Sequence, residues 1–452
     1  MYKVWLDKLC INGYNIGVQY SRQADKNYNV NKERKSTKME KLALHGGTPA
    51  KTVPYTRGKR FGKEELAYLE EALEQNTLFY WFGKMTKRLC AKFADMYGAK
   101  YCVATSSGTS AIHVALGACG VGPGDEVITA PITDMGSVIG ILFQNAIPVF
   151  ADVDPHTYNM TAESIEAKIT DRTKAILVVH LAGNPAEMDK IMEVANKHGI
   201  YVIEDCAQAY CCSYKGKLAG TFGHIGCFSL NDFKHISAGD GGMVIMNDEQ
   251  LYHNAHMFTD KCYDRIGSDV KKNVPYLAPN YRMSELVGAV GLAQVEKVED
   301  ICAKRHAYGD KLNAALQDIP GLHPHKVLDG AYSSWWFYLM RIDEEVMGCT
   351  NKEFFAALEA EGVGGQWGYI PSCVYQYDLF KNRNAYPGTH YPFDGTHGNP
   401  IEYKDGDCPN AEAVLASCIK LVVNEFYTEQ DCDETIAAIR KVSNYFLSKK
   451  NA

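Results

Sequence analysis

Between residues 101 and 246 the chain repeats one unit: a short apolar run, a turn of small or polar residues, and a stretch with helical spacing. The runs are YCVA (101–104), EVITA (126–130), IPVF (147–150), AILVV (175–179), YVIED (201–205), GCFS (226–229) and MVIM (243–246). Between them, Ile112, Leu116 and Cys119 recur on one helix face, as do Met188, Ile191, Met192 and Ala195. The second of these helices also carries its own stop. Lys197 and His198 suit the negative end of a helix, and Gly199 accepts the left-handed turn that follows. Strands that alternate with helices pair in parallel and are covered on both faces. The rhythm therefore predicts an α/β fold built on a mostly parallel sheet. Ligands in such sheets bind beyond the carboxyl ends of the strands, so the residues that follow each run are the candidates for chemistry.

After about residue 300 the texture changes. WWFYLMRI (335–342) reads as a strand, with Trp335 and Trp336 as core residues. NKEFFAALEAEGV (351–363) reads as an amphipathic helix. CPNAEAVLASCIKLVV (408–423) and DETIAAIRKVSNYFL (433–447) also read as helices. Residues 376–407, rich in Tyr, Pro, Gly, Asn and His, read as a long loop, a kind of segment often kept for function. The expected division is a large domain over 39–300 and a smaller α+β domain over 301–452.

Residues 1–38 stand apart. They hold eight Lys and Arg against three Asp and Glu, and SRQADKNYNVNKERKSTK (21–38) is almost free of large aliphatics, too little to order itself alone, so a mobile basic extension is expected. Met39, opening MEKLALHGGTPA, reads as a more natural beginning. The whole chain, at net charge −7, lacks the excess of Lys and Arg that a nucleic-acid surface needs. No apolar run is long enough to span a bilayer. The fifteen cysteines include no CxxC pair, and no secretory signal is evident. Reduced, buried thiols in a cytoplasmic protein are the expectation, with no metal site.

Three stretches carry chemistry. ATSSGTSAI (104–112) runs from a strand through Ser107, Gly108 and Thr109 into a helix. A helix start offers free N–H groups and a positive dipole end to an anion, although Ser and Thr there also serve as plain caps. VIEDCAQA (202–209) ends a buried strand in Glu204 and Asp205. A carboxylate there needs a cationic or hydrogen-bond-donating partner, and a protonated pyridine nitrogen is one such group. CFSLNDFKHISAGDGG (227–242) places Ser229 at a strand end, Lys234 in the turn and three glycines before the next strand. A desolvated lysine becomes a nucleophile for carbonyl groups. Taken singly, each stretch has an ordinary structural reading: a cap, a capping aspartate, a solvated lysine. Together and in this order they supply a phosphate cradle, a pyridinium partner and an imine-forming amine, the set that pyridoxal 5′-phosphate requires.

With SSGTSAI, IPVFADVDPHTYN, IEDCAQA, CFSLNDFKHISAGDGG, NYRMSELVGAVGLAQ and CPNAE, the chain resembles the DegT/DnrJ/EryC1/StrS sugar aminotransferases of PLP fold type I. The resemblance runs from about Met39 to the C-terminus. It implies a large domain with a seven-stranded sheet and Lys234 as the Schiff-base lysine. Asp205 would lie on the ring nitrogen, Gln208 near the phenolic oxygen, and Ser107, Gly108, Thr109 and Ser229 on the phosphate. Asn280 would reach the phosphate of a neighbouring subunit, making a homodimer with shared sites. Arg282 is implied for the donor carboxylate. The implied reaction moves an amino group from glutamate or glutamine to a keto-sugar or cyclitol ketone. Gln366, Trp367, Tyr369 and the 376–407 loop are expected to shape the acceptor pocket. Two departures stand out. Asp134 in APITDMGS takes the place of an aromatic residue that stacks on the cofactor, and Tyr210, followed by Cys211 and Cys212, replaces a histidine near it. Relatives with histidine in place of the lysine are dehydratases. His235 is one residue away, but the spacing to GDGG favours Lys234. A non-catalytic regulator that kept the fold is the remaining alternative.

Overall fold

The computed structural model describes residues 40–266 and 274–450. The basic extension expected over residues 1–38 lies outside the described residues.

Seven strands form the main sheet: β1 (Tyr101–Thr105), β2 (Glu126–Thr129), β3 (Ile147–Phe150), β4 (Thr173–Val179), β5 (Tyr201–Asp205), β6 (Ile225–Ser229) and β7 (Gly242–Met246). Their spatial order is β1-β7-β6-β5-β4-β2-β3. The four pairs from β6 across to β3 are parallel, and β7 runs antiparallel to both β1 and β6. All seven coincide with apolar runs in the sequence. β2, β6 and β7 are buried along their whole length, as strands covered on both faces must be. The helix Met188–His198, with Gly199 in the left-handed conformation at its end, is the crossover between β4 and β5. On β5 neighbouring side chains leave opposite faces. Glu204 accepts hydrogen bonds from the Gly220 and Gly223 N–H groups and pairs with His180 Nε2 at 2.9 Å. His180 Nδ1 accepts from the Ala186 N–H, so Nε2 carries the proton that Glu204 receives. Cys206 brings a third ligand-type atom near this pair, yet the carboxylate is already committed to bracing the 220–223 turn. Asp205 leaves the other face.

A second, antiparallel sheet has the order β8-β9-β11-β10, with β8 Leu322–Pro324, β9 Phe337–Ile342, β10 Gly365–Trp367 and β11 Cys418–Val422. Phe337 and Leu339 pack toward the main sheet's core, while Tyr338, Met340 and Ile342 pack with Leu312, Ile439 and Val442 of the helices Val298–Ala314 and Glu429–Lys450. One expectation fails here. Residues 408–423 are not one helix: the helix stops at Ser417, and 418–422 is the strand β11, paired with β9 and β10. The reason is its alternation. Ile419 and Leu421 enter the core, whereas Lys420 and Val422 do not. That is period 2, which a short apolar run does not distinguish from a buried helix turn.

Residues 40–56 attach to the C-terminal part, although the boundary expected at residue 300 groups them with the main sheet. Leu42 is fully buried in the cluster around β9, the Ala43 and Ala50 N–H groups donate to Glu361, and Lys51 pairs with Asp431 at 2.6 Å. The 376–407 segment is largely irregular. Its Phe380, Phe393 and Tyr403 pack in one aromatic group with Phe150 of β3.

Candidate active site

The carboxyl ends of β1, β5 and β6 and the turn after β2 converge on a cavity of about 230 Å3. Ser107, Gly108 and Thr109 form its floor at the start of the helix Gly108–Ala118. The Ser107 hydroxyl caps this helix by accepting from the Ser110 N–H at 3.0 Å. First-turn N–H groups have no partner within a helix, so the helix presents donors to the cavity. A Cβ on Gly108 would sit 2.6 Å from the Ser229 Cβ, so only glycine lets the helix start approach the end of β6. Gly242 meets the same limit: a Cβ there would lie 2.2 Å from the Ser107 carbonyl oxygen.

Asp205 is buried in the cavity wall. The Ser137 hydroxyl donates to its Oδ2 at 2.7 Å and the Ala207 N–H to its Oδ1 at 3.0 Å. Burial raises its pKa; these two donors and the more distant charge of Lys234 oppose the rise. Both direct partners are neutral, and a buried carboxylate with no counter-charge is costly. Lys234 lines the same cavity. The turn that carries it is closed by the Lys234 N–H donating to the Asn231 carbonyl. Burial lowers the pKa of this lysine, against the charges of Asp205 and Asp134. Its Nζ lies 3.9 Å from the centre of the Trp336 ring, and the Trp336 indole N–H is tied to the Phe233 carbonyl at 2.8 Å. His235 points away. It is fully buried, with Nε2 against the Ser334 carbonyl, and burial holds its pKa well below the usual histidine range.

Gln208 and Asp134 complete the cavity wall. The Gln208 side chain accepts from the Ala182 N–H and donates to the Tyr369 hydroxyl at 3.3 Å. Asp134 is exposed and caps the helix Met135–Phe143 through the Gly136 N–H. Gln366 and Trp367 are exposed on β10, and Gln366 donates to the Tyr369 carbonyl. Asn280 and Arg282 do not line this cavity. Asn280 bridges to Asp260, and the Arg282 guanidinium bonds Asp260 at 2.8 Å beside the Phe79 ring.

These residues fit pyridoxal 5′-phosphate. A helix start with hydroxyls suits a phosphate, the uncompensated Asp205 suits a protonated ring nitrogen, and an amine of lowered pKa suits an aldehyde. The sequence matches the DegT/DnrJ/EryC1/StrS aminotransferase family over residues 59–440. The chain belongs to this family. GDP-perosamine synthase of Escherichia coli O157:H7 is 36% identical over 301 residues, 65% of this chain and 80% of that one. A provisionally named L-glutamine:3-amino-2,3-dideoxy-scyllo-inosose aminotransferase of Streptoalloteichus tenebrarius is 37% identical over 327 residues, 71% and 78% of the two chains. Among solved structures, the aminotransferase of Psychrobacter cryohalolentis superposes with a TM-score of 0.75 at 30% identity, covering 85% of this chain and 98% of that one. As a family member the protein is a PLP-dependent aminotransferase of fold type I.

Three site details differ from expectation or were missed. Tyr210 does not reach the cavity. It is fully buried, and its hydroxyl donates to the Ser229 carbonyl at 2.9 Å, so it braces β6 from behind. Trp336 is half-buried over the lysine rather than in the core, whereas Trp335 is fully buried as expected. Ser137, the hydroxyl on Asp205, was legible only as the third residue after Asp134, one turn into the helix. Of the 376–407 loop, Tyr377 at its start lies close enough to Asp134 to be affected by its charge.

Proposed function

We propose that the enzyme moves an amino group from L-glutamate or L-glutamine to a keto-sugar, nucleotide-linked in one form, or to a cyclitol ketone. The observation that carries this reading is the meeting of Lys234 and Asp205, from two different strand ends, in one cavity at the head of a helix. Bound pyridoxal 5′-phosphate supplies an aldehyde carbon that takes up the amino group and a ring that accepts the electron pair released at the donor's α-carbon. Lys234 carries a proton to and from that carbon, and its lowered pKa suits it to do so near neutrality. Asp205, oriented by Ser137 and the Ala207 N–H, keeps the ring nitrogen protonated. The start of the helix Gly108–Ala118, with Ser107, Thr109 and Ser229, holds the phosphate, and Gln208 fixes the ring's edge. Asp134 lines the same cavity and would face the bound cofactor. No histidine lines the cavity among the described residues, which favours transamination over the dehydratase reading.

The relatives' names support both acceptor classes, a GDP-linked sugar and an inosose. We take the working form to be a cytoplasmic homodimer. The fourteen cysteines among the described residues are all free, which suits a reducing compartment. Asn280, away from its own cavity, is left to serve a neighbour's. The test is spectroscopic. L-glutamate or L-glutamine should remove the visible absorbance of lysine-bound cofactor, and a panel of keto-sugars and inososes should restore it with one or a few members. If neither donor changed the band, the reading would be wrong.

A further inference from the structure

Correcting residues 418–422 from helix to strand puts one side chain in a place the sequence did not suggest. Lys420 lies in β11 opposite Leu339 of β9 and Gln366 of β10, and cross-strand partners share a face. Its Nζ lies 5.3 Å from the centre of the Phe337 ring and 5.5 Å from that of Tyr369. Those two rings are 4.7 Å apart, and the Tyr369 hydroxyl reaches Gln208 on the cavity wall. Lys420 thus stands one aromatic ring away from Gln208 of the cavity wall.

Among the described residues the amine lacks a carboxylate partner, which three buried cations of this chain have. Lys51 has Asp431, Arg305 has Glu425, and Lys441 has Glu361. Lys420 is half-buried, and among the described residues no carboxylate lies within ion-pair distance and no hydrogen bond ends on its Nζ. Burial lowers its pKa, and only the Cys418 thiol opposes this. Aromatic faces attract a cation but accept few hydrogen bonds, so an anion from outside would complete the site. Arg282, implied by resemblance for a carboxylate, is already taken by Asp260 in this chain.

We propose that Lys420 is the anion anchor of the substrate pocket: with Tyr369 and Gln366 around it, it receives an anionic oxygen group of a substrate. That group is the carboxylate of the amino donor or the phosphate of a nucleotide-linked acceptor. The inference rests on the aminotransferase reading for its ligand, but not for its measurement.

The experiment compares the wild-type holoenzyme with Lys420→Met, Lys420→Gln and Lys420→Arg. Calorimetry gives the Kd for 2-oxoglutarate and for a nucleoside diphosphate, and stopped-flow absorbance gives the concentration dependence of the donor half-reaction. The two neutral variants should weaken one of the two ligands about tenfold or more, the loss of a charge-assisted hydrogen bond. Their cofactor spectrum and maximal half-reaction rate should stay within about threefold of wild type, and Lys420→Arg should restore most of the affinity. Weakening of 2-oxoglutarate assigns the anion to the donor, and weakening of the nucleoside diphosphate assigns it to the acceptor. If both neutral variants bound both ligands as the wild type does, or if they only lowered the melting temperature, the proposal would be overturned. A wild-type enzyme whose band no donor removes would sink the aminotransferase reading, while the calorimetric comparison would still judge Lys420.

Discussion

Replacing Ser137 by alanine tests the central carboxylate without touching it. In the structure each Asp205 oxygen accepts one bond, from the Ser137 hydroxyl at 2.7 Å and from the Ala207 N–H at 3.0 Å. Burial already disfavours the ionised form. Removing the serine donor raises the carboxyl pKa further and frees the side chain to rotate, so it holds a ring proton less well. A hydrogen bond to a charged group is worth about 1.5–3 kcal/mol, and if that loss appears fully in the transition state, kcat/KM falls about 10- to 150-fold. The Thr133 hydroxyl, 2.6 Å from Ser137 and itself buried, also loses its partner, so the variant should melt at a lower temperature. Lys234 and the helix start are untouched, so the cofactor should still load. The assay is steady-state transamination beside a pH titration of the cofactor's visible band, with Ser137→Thr as the control that keeps the hydroxyl. If Ser137→Ala melted lower but kept kcat/KM and the band's titration within twofold of wild type, Ser137 would be a structural residue, and Asp205 would not depend on it.

Two further outcomes follow from the charges. Capture of pyridoxal 5′-phosphate by the apoprotein, trapped with borohydride and weighed by mass spectrometry, should show a pH midpoint below the 10.5 of an ordinary lysine, because burial lowers the pKa of Lys234. Asp134→Asn should move that midpoint lower still by removing a nearby negative charge that favours the ammonium; a midpoint at or above 10.5, or an upward move, would contradict the burial argument. Acid should loosen the attachment of residues 40–56. Lys51, two Thr428 bonds and the Thr56 N–H hold the Asp431 pKa well below its ordinary 3.8. Its contribution is therefore complete above the ordinary carboxylate value and drains away as pH falls below it. Asp431→Asn leaves Lys51 with Glu434 alone, at 3.3 Å, so it should cost about 1.5–3 kcal/mol at neutral pH, the worth of a hydrogen bond to a charged group, and should flatten this part of the acid dependence of urea unfolding.

Much of the site could be read before the fold was seen, because its signals are local. A lysine between a strand end and GDGG, a carboxylate closing an apolar run, and small hydroxyl residues at a helix start are each written within about ten residues. The glycines carry steric reasons the structure makes explicit: Gly108 and Gly242 lie where a Cβ would strike Ser229 and the Ser107 carbonyl. Ser137 and Trp336 were less legible. Each acts on a residue 68 or about a hundred positions away, and no spacing rule reaches that far.

Local periodicity and turn chemistry sufficed to set all seven main strands and the helices Gly108–Ala118 and Met188–His198, since strand period, helix caps and glycine turns depend on neighbours in the chain. Tertiary structure alone decided that β7 runs antiparallel, that residues 418–422 extend between β9 and β10, that Tyr210 turns inward, and that Lys420 stands beside Tyr369 with no carboxylate partner among the described residues. Which partner a strand pairs with, and so which face each side chain takes, is fixed by residues distant in sequence that compete to bury the same apolar surface.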